Sequence, residues 1–517
     1  MTITRPSGRA AASAGAATPV RPPARRAPTA STAAKTARAY ARPRAGRGGV
    51  GRPGDGRPGE RWAPLSAGTV VRLLARDGTS GPTSGTGSTV TCLLVTTGRT
   101  TAGRPPAWAW ALALLAIAAA VAPLVHYWLT NPADQRLVDL DVYRTGGWAL
   151  LTGLPVYGVI TPAPQLLPFT YPPVAAMLAV PLAEMSWPAA QWVWTAGIVA
   201  ALVVTGGCAF RPLLRSLPGR WAAPPALALL TAACAYLMPI RDQVRFGQVD
   251  LFLLLLCLLD CVVRRPRWPR GMLIGIATAV KLTPGVFLIY LAITGFPRRG
   301  GDGESRRAFF LGALTAALLT VLPFLVIFDD ARDYWFGALL DSERLGANAA
   351  TTNQSLRGML LRLYLPGPFT AVIWLAAVAV IGWYGFRAAR RAHRSGDTMT
   401  AVALTGLMAV LLSPVAWIHH IAWVVIVVAA LAGTGRDRVR SLVAAGVWLF
   451  YVLPVPWWGV SIKALEIPVL SPVVGKIVQD GFGLGAVALV WILGSWLPRR
   501  VADRPQISRS AYADLPD

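Results

Sequence analysis

The chain has 517 residues, 54% hydrophobic and only 14% charged, too few charged side chains to cover a soluble protein of this size. The formal charge of +26 does not indicate a nucleic-acid partner, because its arginines fall in an N-terminal arm and in short loops between apolar runs. That distribution is the positive-inside signature of a polytopic, all-α membrane protein.

Residues 1–105 are rich in Arg, Ala, Gly, Pro and Thr without apolar periodicity, which predicts a disordered cytoplasmic arm. A transmembrane domain is expected over 106–498 and a cytoplasmic tail over 499–517. The first span is predicted at 107–128, long enough for a hydrocarbon core of roughly 30 Å. A polar outer segment follows at 129–170 with Asp134, Asp139 and Asp141, then a short apolar stretch at 172–184 that dips into the interface. Further spans are expected at 189–208, 222–240 and 247–263, the last returning to the basic loop Arg264-Arg265-Pro266-Arg267-Trp268-Pro269-Arg270.

The loop at 297–307 is also basic, so the apolar stretch 271–296 between two cytoplasmic loops must cross twice or not at all. Pro284 interrupts it near the middle, which predicts two short helices turning at Lys281-Leu282-Thr283-Pro284. The remaining spans fall at 308–328, 367–387, 399–414, 420–434, 441–454 and 481–497, giving ten full spans and a hairpin, about twelve helices. The five cysteines, Cys92, Cys208, Cys234, Cys257 and Cys261, lack metal-site spacing and read as packing residues.

This topology collects Asp139, Asp141, Arg241, Asp242, Arg245, Asn353, Gln354, His419 and His420 on the outer side. Ionisable groups near membrane depth are costly and mark functional sites. Lys281, one of four lysines, sits at the hairpin turn and needs a counter-charge, which a lipid phosphate supplies, unless it snorkels to an interface. His419 and His420 are adjacent, so on a helix they diverge by about 100° and are not expected to share a ligand; no metal site is predicted.

The blocks Val138-Asp139-Leu140-Asp141-Val142-Tyr143, Phe169-Thr170-Tyr171-Pro172-Pro173, Gly247-Gln248-Val249-Asp250, Gly275-Ile276-Ala277-Thr278-Ala279-Val280-Lys281-Leu282-Thr283-Pro284, Asn353-Gln354-Ser355-Leu356 and Leu412 to His420 follow one another in order. With Gly153-Leu154-Pro155-Val156-Tyr157 they resemble the actinobacterial polyprenol-phosphate-mannose-dependent alpha-(1,2)-mannosyltransferases, glycosyltransferase family 87, of GT-C architecture. Asp250 stands where that family usually has Asn.

The resemblance implies inverting transfer of mannose from a polyprenol phosphate to a hydroxyl of a lipid-linked or cell-envelope glycan, at the outer face of the plasma membrane. It implies a catalytic acidic residue in the first outer loop, Asp139 by position with Asp141 as rival. A carboxylate there can take the acceptor's proton, while the departing phosphate needs cationic donors, for which Lys281, Arg241 and Arg245 are candidates with His419 or His420. Tyr143, Tyr171, Gln248, Asn353 and Gln354 complete the expected substrate-binding set. Membrane lipids, a polyprenol-phosphate-sugar donor and a glycan or glycolipid acceptor are the expected partners, with no cofactor. Two other readings compete: transfer of arabinose or glucose from the same class of donor, and a lipid or sugar transporter, against which stands the lack of repetition between the chain's halves.

Overall fold

The computed structural model describes residues 105–502, apart from 133–134, 220 and 298–299. The predicted arm, Cys92, Asp134 and most of the tail lie outside the described residues. Among them all regular structure is helical, save isolated bridges at Ile160–Pro168 and Asn353–Trp417. The protein is an all-α, multi-pass membrane protein.

In chain order the helices are α1 (Ala107–Leu129), α2 (Val138–Thr152), α3 (Pro173–Glu184), α4 (Trp187–Ala209), α5 (Arg211–Ser216), α6 (Ala223–Ala235), α7 (Met238–Phe246) and α8 (Asp250–Val262). Then come α9 (Met272–Val280), α10 (Val286–Gly295), α11 (Gly303–Val326), α12 (Phe328–Asp333), α13 (Leu356–Leu361), α14 (Gly367–Arg394) and α15 (Thr398–Leu411). A 3-10 turn at Ile418–Trp423 leads into α16 (Val424–Ala432), followed by α17 (Arg438–Val452), α18 (Val455–Lys463), α19 (Gly475–Gln479), α20 (Gly481–Trp491) and α21 (Leu497–Ala502).

By length and composition five helical stretches can cross a membrane: α1, α4, α11, α14 and the run from Gly481 to Ala502. Two bent pairs, α6 with α7 at 75° and α17 with α18 at 52°, raise the count to seven. Ten full spans were expected from hydropathy. The difference lies in helices that stop short: α8 has 13 residues, about 20 Å, α15 has 14, and the predicted span at 420–434 begins as a 3-10 turn before the nine residues of α16.

The expected hairpin is present. α9 ends at Val280, Thr283–Gly285 forms a 3-10 turn, and α10 resumes at Val286. Both arms lie against the N-terminal half of α11. A Cβ at Gly271 would strike the Ala308 carbonyl, one at Gly275 would lie 2.5 Å from the Gly312 oxygen, and one at Gly295 would lie 2.5 Å from Arg306 N. The two ends of the hairpin therefore sit at one level of α11, and Lys281 at its tip.

Two packing clusters matter for the site. The large one centres on α15 and α16, where Thr400–Leu411 and Val424–Leu431 are buried on every side, as in helices enclosed by a bundle. The small one joins α2, α3 and the intervening loop through Leu137, Leu140, Tyr143, Tyr157, Phe169 and Tyr171, and reaches Tyr334.

Candidate active site

The site forms where the first turn of α2 meets the start of α8. Leu137 adopts a left-handed conformation with φ 50° and its N–H donates to the Arg245 carbonyl at 2.8 Å, tying α2 to the end of α7. Gly247 makes the turn into α8 at φ +69°, and a Cβ there would fall 2.9 Å from Leu140 Cβ. Glycine thus serves twice, for conformation and for close approach. Its carbonyl accepts from Trp194 Nε1 at 2.7 Å.

The next residue, Gln248, is buried and organises the polar centre. Its Oε1 accepts from the Tyr143 hydroxyl at 3.2 Å and the Tyr171 hydroxyl at 3.3 Å, and the two phenols lie 3.0 Å apart. Burial pushes Tyr171 up to about 12 and Tyr143 above its ordinary value, so both remain proton donors. The Gln248 side chain also acts on Asp139, favouring its charged form.

Asp139 lies in α2, outside the candidate spans. Loss of hydration raises its carboxyl from the usual 3.8 to about 7, against the opposing pull of the Lys281 charge and the Gln248 hydrogen bond. Asp141, two residues on, points to a different side of the helix. Burial raises it too, and the charge acting on it is Arg144, whose guanidinium is spent on the Leu182 and Met185 carbonyls at 2.9 and 2.7 Å.

Facing Asp139 is a cationic group. Lys281 Nζ lies 2.6 Å from Asp250 Oδ1, 3.0 Å from His420 Nε2 and 5.3 Å above the Tyr171 ring. The expected lipid counter-charge for Lys281 is therefore met from within the chain, and the ammonium does not snorkel; Asp250 fixes it across the gap between α8 and the hairpin tip. Residue 250 had been singled out only as a departure from Asn. The signal that pointed to it was the need of a lone lysine at membrane depth for an acid.

The two histidines do converge, contrary to the expectation from helical spacing. They stand on a 3-10 turn, with rings 4.6 Å apart and edge to face, and both present Nε2 to Asp250 Oδ2, at 3.9 Å for His419 and 3.6 Å for His420. His420 meets a donor at each ring nitrogen, the Trp417 N–H at 3.2 Å from Nδ1 and the Lys281 ammonium at 3.0 Å from Nε2, and its tautomer decides which of the two it accepts from. Asp250 Oδ2 and His419 Nε2 are buried without hydrogen-bond partners. Asp250, His419 and His420 have ligand atoms within 4.8 Å of one another, a spacing compatible with a cation. The Lys281 ammonium already lies against Asp250 and His420.

The other expected residues are placed around this centre. Arg245 donates to Gln135 Oε1 at 3.0 Å and covers the Phe246 ring, which meets His419 edge-on; it makes no ion pair with Asp139 or Asp250. Arg241 shares α7 with it and acts electrostatically on Asp242. Asn353 and Gln354 are fully buried. Asn353 Oδ1 accepts from Ala416 N at 3.0 Å and Ser355 N at 3.2 Å, and Gln354 N donates to the Ala416 carbonyl at 2.7 Å. Their polar groups hold the loop carrying His419 and His420, and the structure does not bring them to the open side of the site.

The family model for glycosyltransferase family 87 matches residues 169–414. The chain is 34% identical over 334 residues to a Mycobacterium tuberculosis protein named polyprenol-phosphate-mannose-dependent alpha-(1-2)-phosphatidylinositol mannoside mannosyltransferase, covering 62% of this chain and 76% of that one. The protein of the same name from Mycolicibacterium smegmatis is 35% identical over 379 residues, 68% of this chain and 83% of the relative. A second M. tuberculosis protein, named for phosphatidylinositol pentamannoside as acceptor, is 31% identical over 366 residues, 68% and 80% of the two chains. No solved structure matches the chain.

Proposed function

Given that the chain belongs to glycosyltransferase family 87 and is a glycosyltransferase, we propose that it moves mannose, with inversion, from polyprenol-phosphate-mannose to a hydroxyl of a phosphatidylinositol mannoside, forming an alpha-1,2 linkage. The names of the relatives support this donor and acceptor. The observation that carries the mechanism is the opposition of a carboxyl with a pKa near 7, Asp139, to a group of converging donors.

In this reading the acceptor hydroxyl gives its proton to Asp139 as its oxygen attacks the anomeric carbon. The bond from that carbon to the phosphate oxygen breaks, and polyprenyl phosphate leaves with its charge. Lys281, His419 and His420 stabilise the departing phosphate; charge-assisted donors are the effective ones here because the leaving group needs no proton. Tyr143, Tyr171 and Gln248 fix Asp139, Asp250 fixes Lys281, and Asn353 with Gln354 fixes the histidine loop. Arg241 and Arg245 add positive potential at the rim.

The reaction is assigned to the extracytoplasmic face of the plasma membrane. Support comes from α8, which runs from Asp250 at the site to the basic loop at 264–270 about 20 Å away. With that loop inside, the site faces outward and the N-terminus lies in the cytoplasm. The test is purified protein in lipid, assayed for transfer of labelled mannose from polyprenol-phosphate-mannose. Wild type transfers, Asp139→Asn loses activity and Asp141→Asn keeps it. Loss confined to Asp141→Asn would move the base by two residues, and uptake without transfer would replace the enzyme by a transporter.

A further inference from the structure

A second cationic cluster lies at α18 and α19, joined to the site through Gln354 and through Arg362, which donates to the Asn353 carbonyl at 2.8 Å. Close backbone packing creates it. A Cβ at Gly459 would strike Gln479 N, and one at Gly475 would lie 2.7 Å from Lys463 Cγ and 3.0 Å from Lys463 N. The two glycines let α18 and α19 meet backbone to backbone, and this sets Lys463 beside Lys476.

The charges there do not balance. Asp480 is already paired with Arg362, whose Nη2 lies 2.6 Å from Oδ1. Lys476 stands 3.9 Å from the other oxygen, beyond hydrogen-bond range, and its Nζ is enclosed without a hydrogen-bond partner. Lys463 donates once, to Gln479 Oε1 at 3.2 Å. An enclosed ammonium without an acceptor is costly. Next to Lys463 opens a cavity of about 360 Å³, lined also by Glu466, Ile467, Pro468, Ser471 and Pro472. Glu466 lines it as well and forms an ion pair with neither lysine. Leu465, Ile467, Val469, Leu470 and Val473 are exposed around the opening, an apolar rim suited to a ligand that brings acyl chains.

We infer that Lys463, with the positive charge of Lys476 behind it, forms an anion subsite for the phosphodiester of the lipid acceptor, apart from the Lys281 group that meets the donor phosphate. The inference rests on the functional reading above and adds how the acceptor is chosen. Gln354 links the subsite to the catalytic loop: its Nε2 donates to the Gln479 carbonyl at 3.0 Å, its Oε1 accepts from Gly483 N at 2.9 Å, and its own N–H holds Ala416. An acceptor anchored by its phosphodiester is thereby presented from the side of α18 toward the loop that carries His419.

The test compares two acceptors in vesicles of zwitterionic lipid: a phosphatidylinositol mannoside and an alkyl mannoside without phosphate. Wild type is expected to prefer the first in kcat/KM. In Lys476→Gln and Lys463→Gln that preference should fall about ten-fold, the worth of one charge-assisted hydrogen bond, chiefly through KM. Lys476→Arg should retain it, which separates charge from packing. An unchanged preference in both glutamine variants would overturn the inference while leaving the transferase intact. So would a wild type without preference that instead binds added phosphatidylglycerol in a lysine-dependent way, since the occupant would then be bulk lipid. No transfer by wild type to either acceptor would bring down the functional reading itself, and this inference with it.

Discussion

Replacing Asp139 by Asn tests the base assignment through both rate and stability. With a carboxyl pKa of about 7, about half of the free enzyme holds the base ionised at pH 7 and about a tenth at pH 6. Wild-type kcat/KM should rise nearly ten-fold per pH unit below 7 and flatten above 8. The same shift bears on folding. A carboxyl whose pKa is raised in the folded state opposes folding, by nothing below pH 3.8 and increasingly as pH climbs to 7. The rise from 3.8 to about 7 corresponds to at most about 4 kcal/mol above pH 7. Asn carries no such burden. Asp139→Asn should therefore lose transfer yet have an apparent Tm at pH 8 equal to or above that of wild type, the difference shrinking as pH falls toward 4. Radiometric transfer from pH 5.5 to 8.5 and thermal unfolding in detergent read the two effects. A flat rate profile, or an Asp139→Asn protein several degrees less stable than wild type at pH 8, would refute the reasoning.

Three further outcomes are expected. Lys281→Met should lower kcat by roughly 10²–10³-fold with little change in acceptor KM, because the lost donor acts on the departing phosphate; single-turnover transfer measures this. Asn353→Ala leaves the buried Ala416 N–H without its acceptor and should cost about 1–3 kcal/mol, seen as a lower apparent Tm together with lower activity. Gly247→Ala combines a positive φ with a contact on Leu140 and should cost more than about 1 kcal/mol; its activity should fall even where the folded fraction is held constant by cooling.

The membrane character and the hairpin at 271–296 were legible in the sequence because each follows from local causes: apolar length, basic loops and a proline in mid-run. The number of spans was not. Hydropathy is silent about a 75° bend at Tyr236–Leu237 or a 3-10 turn at His419, where the helix axis breaks but apolar character continues. At the site, Asp139, Lys281 and the histidines were visible as costly ionisable residues. Their grouping was not, since the Lys281–Asp250 pair spans 31 residues and Lys281–His420 spans 139. Asn353 and Gln354 were picked out by their outer-side position and their motif block; their hydrogen bonds to Ala416 and Ser355 could not be read from either, because they depend on a contact between distant loops.

The two packing clusters have a consequence for how lipids enter. Asp139, Tyr143 and Tyr171 ride on the small one, while Lys281, Asp250 and the histidines are held by the large one. The boundary between them is crossed at the site by the tyrosine contacts to Gln248 and pivots at Gly247. Both proposed substrates carry tails that cannot thread through a closed bundle. A sideways path along this seam would pass between the base and the cationic group, across the two phenol hydrogen bonds and the Leu137 N–H bond to the Arg245 carbonyl.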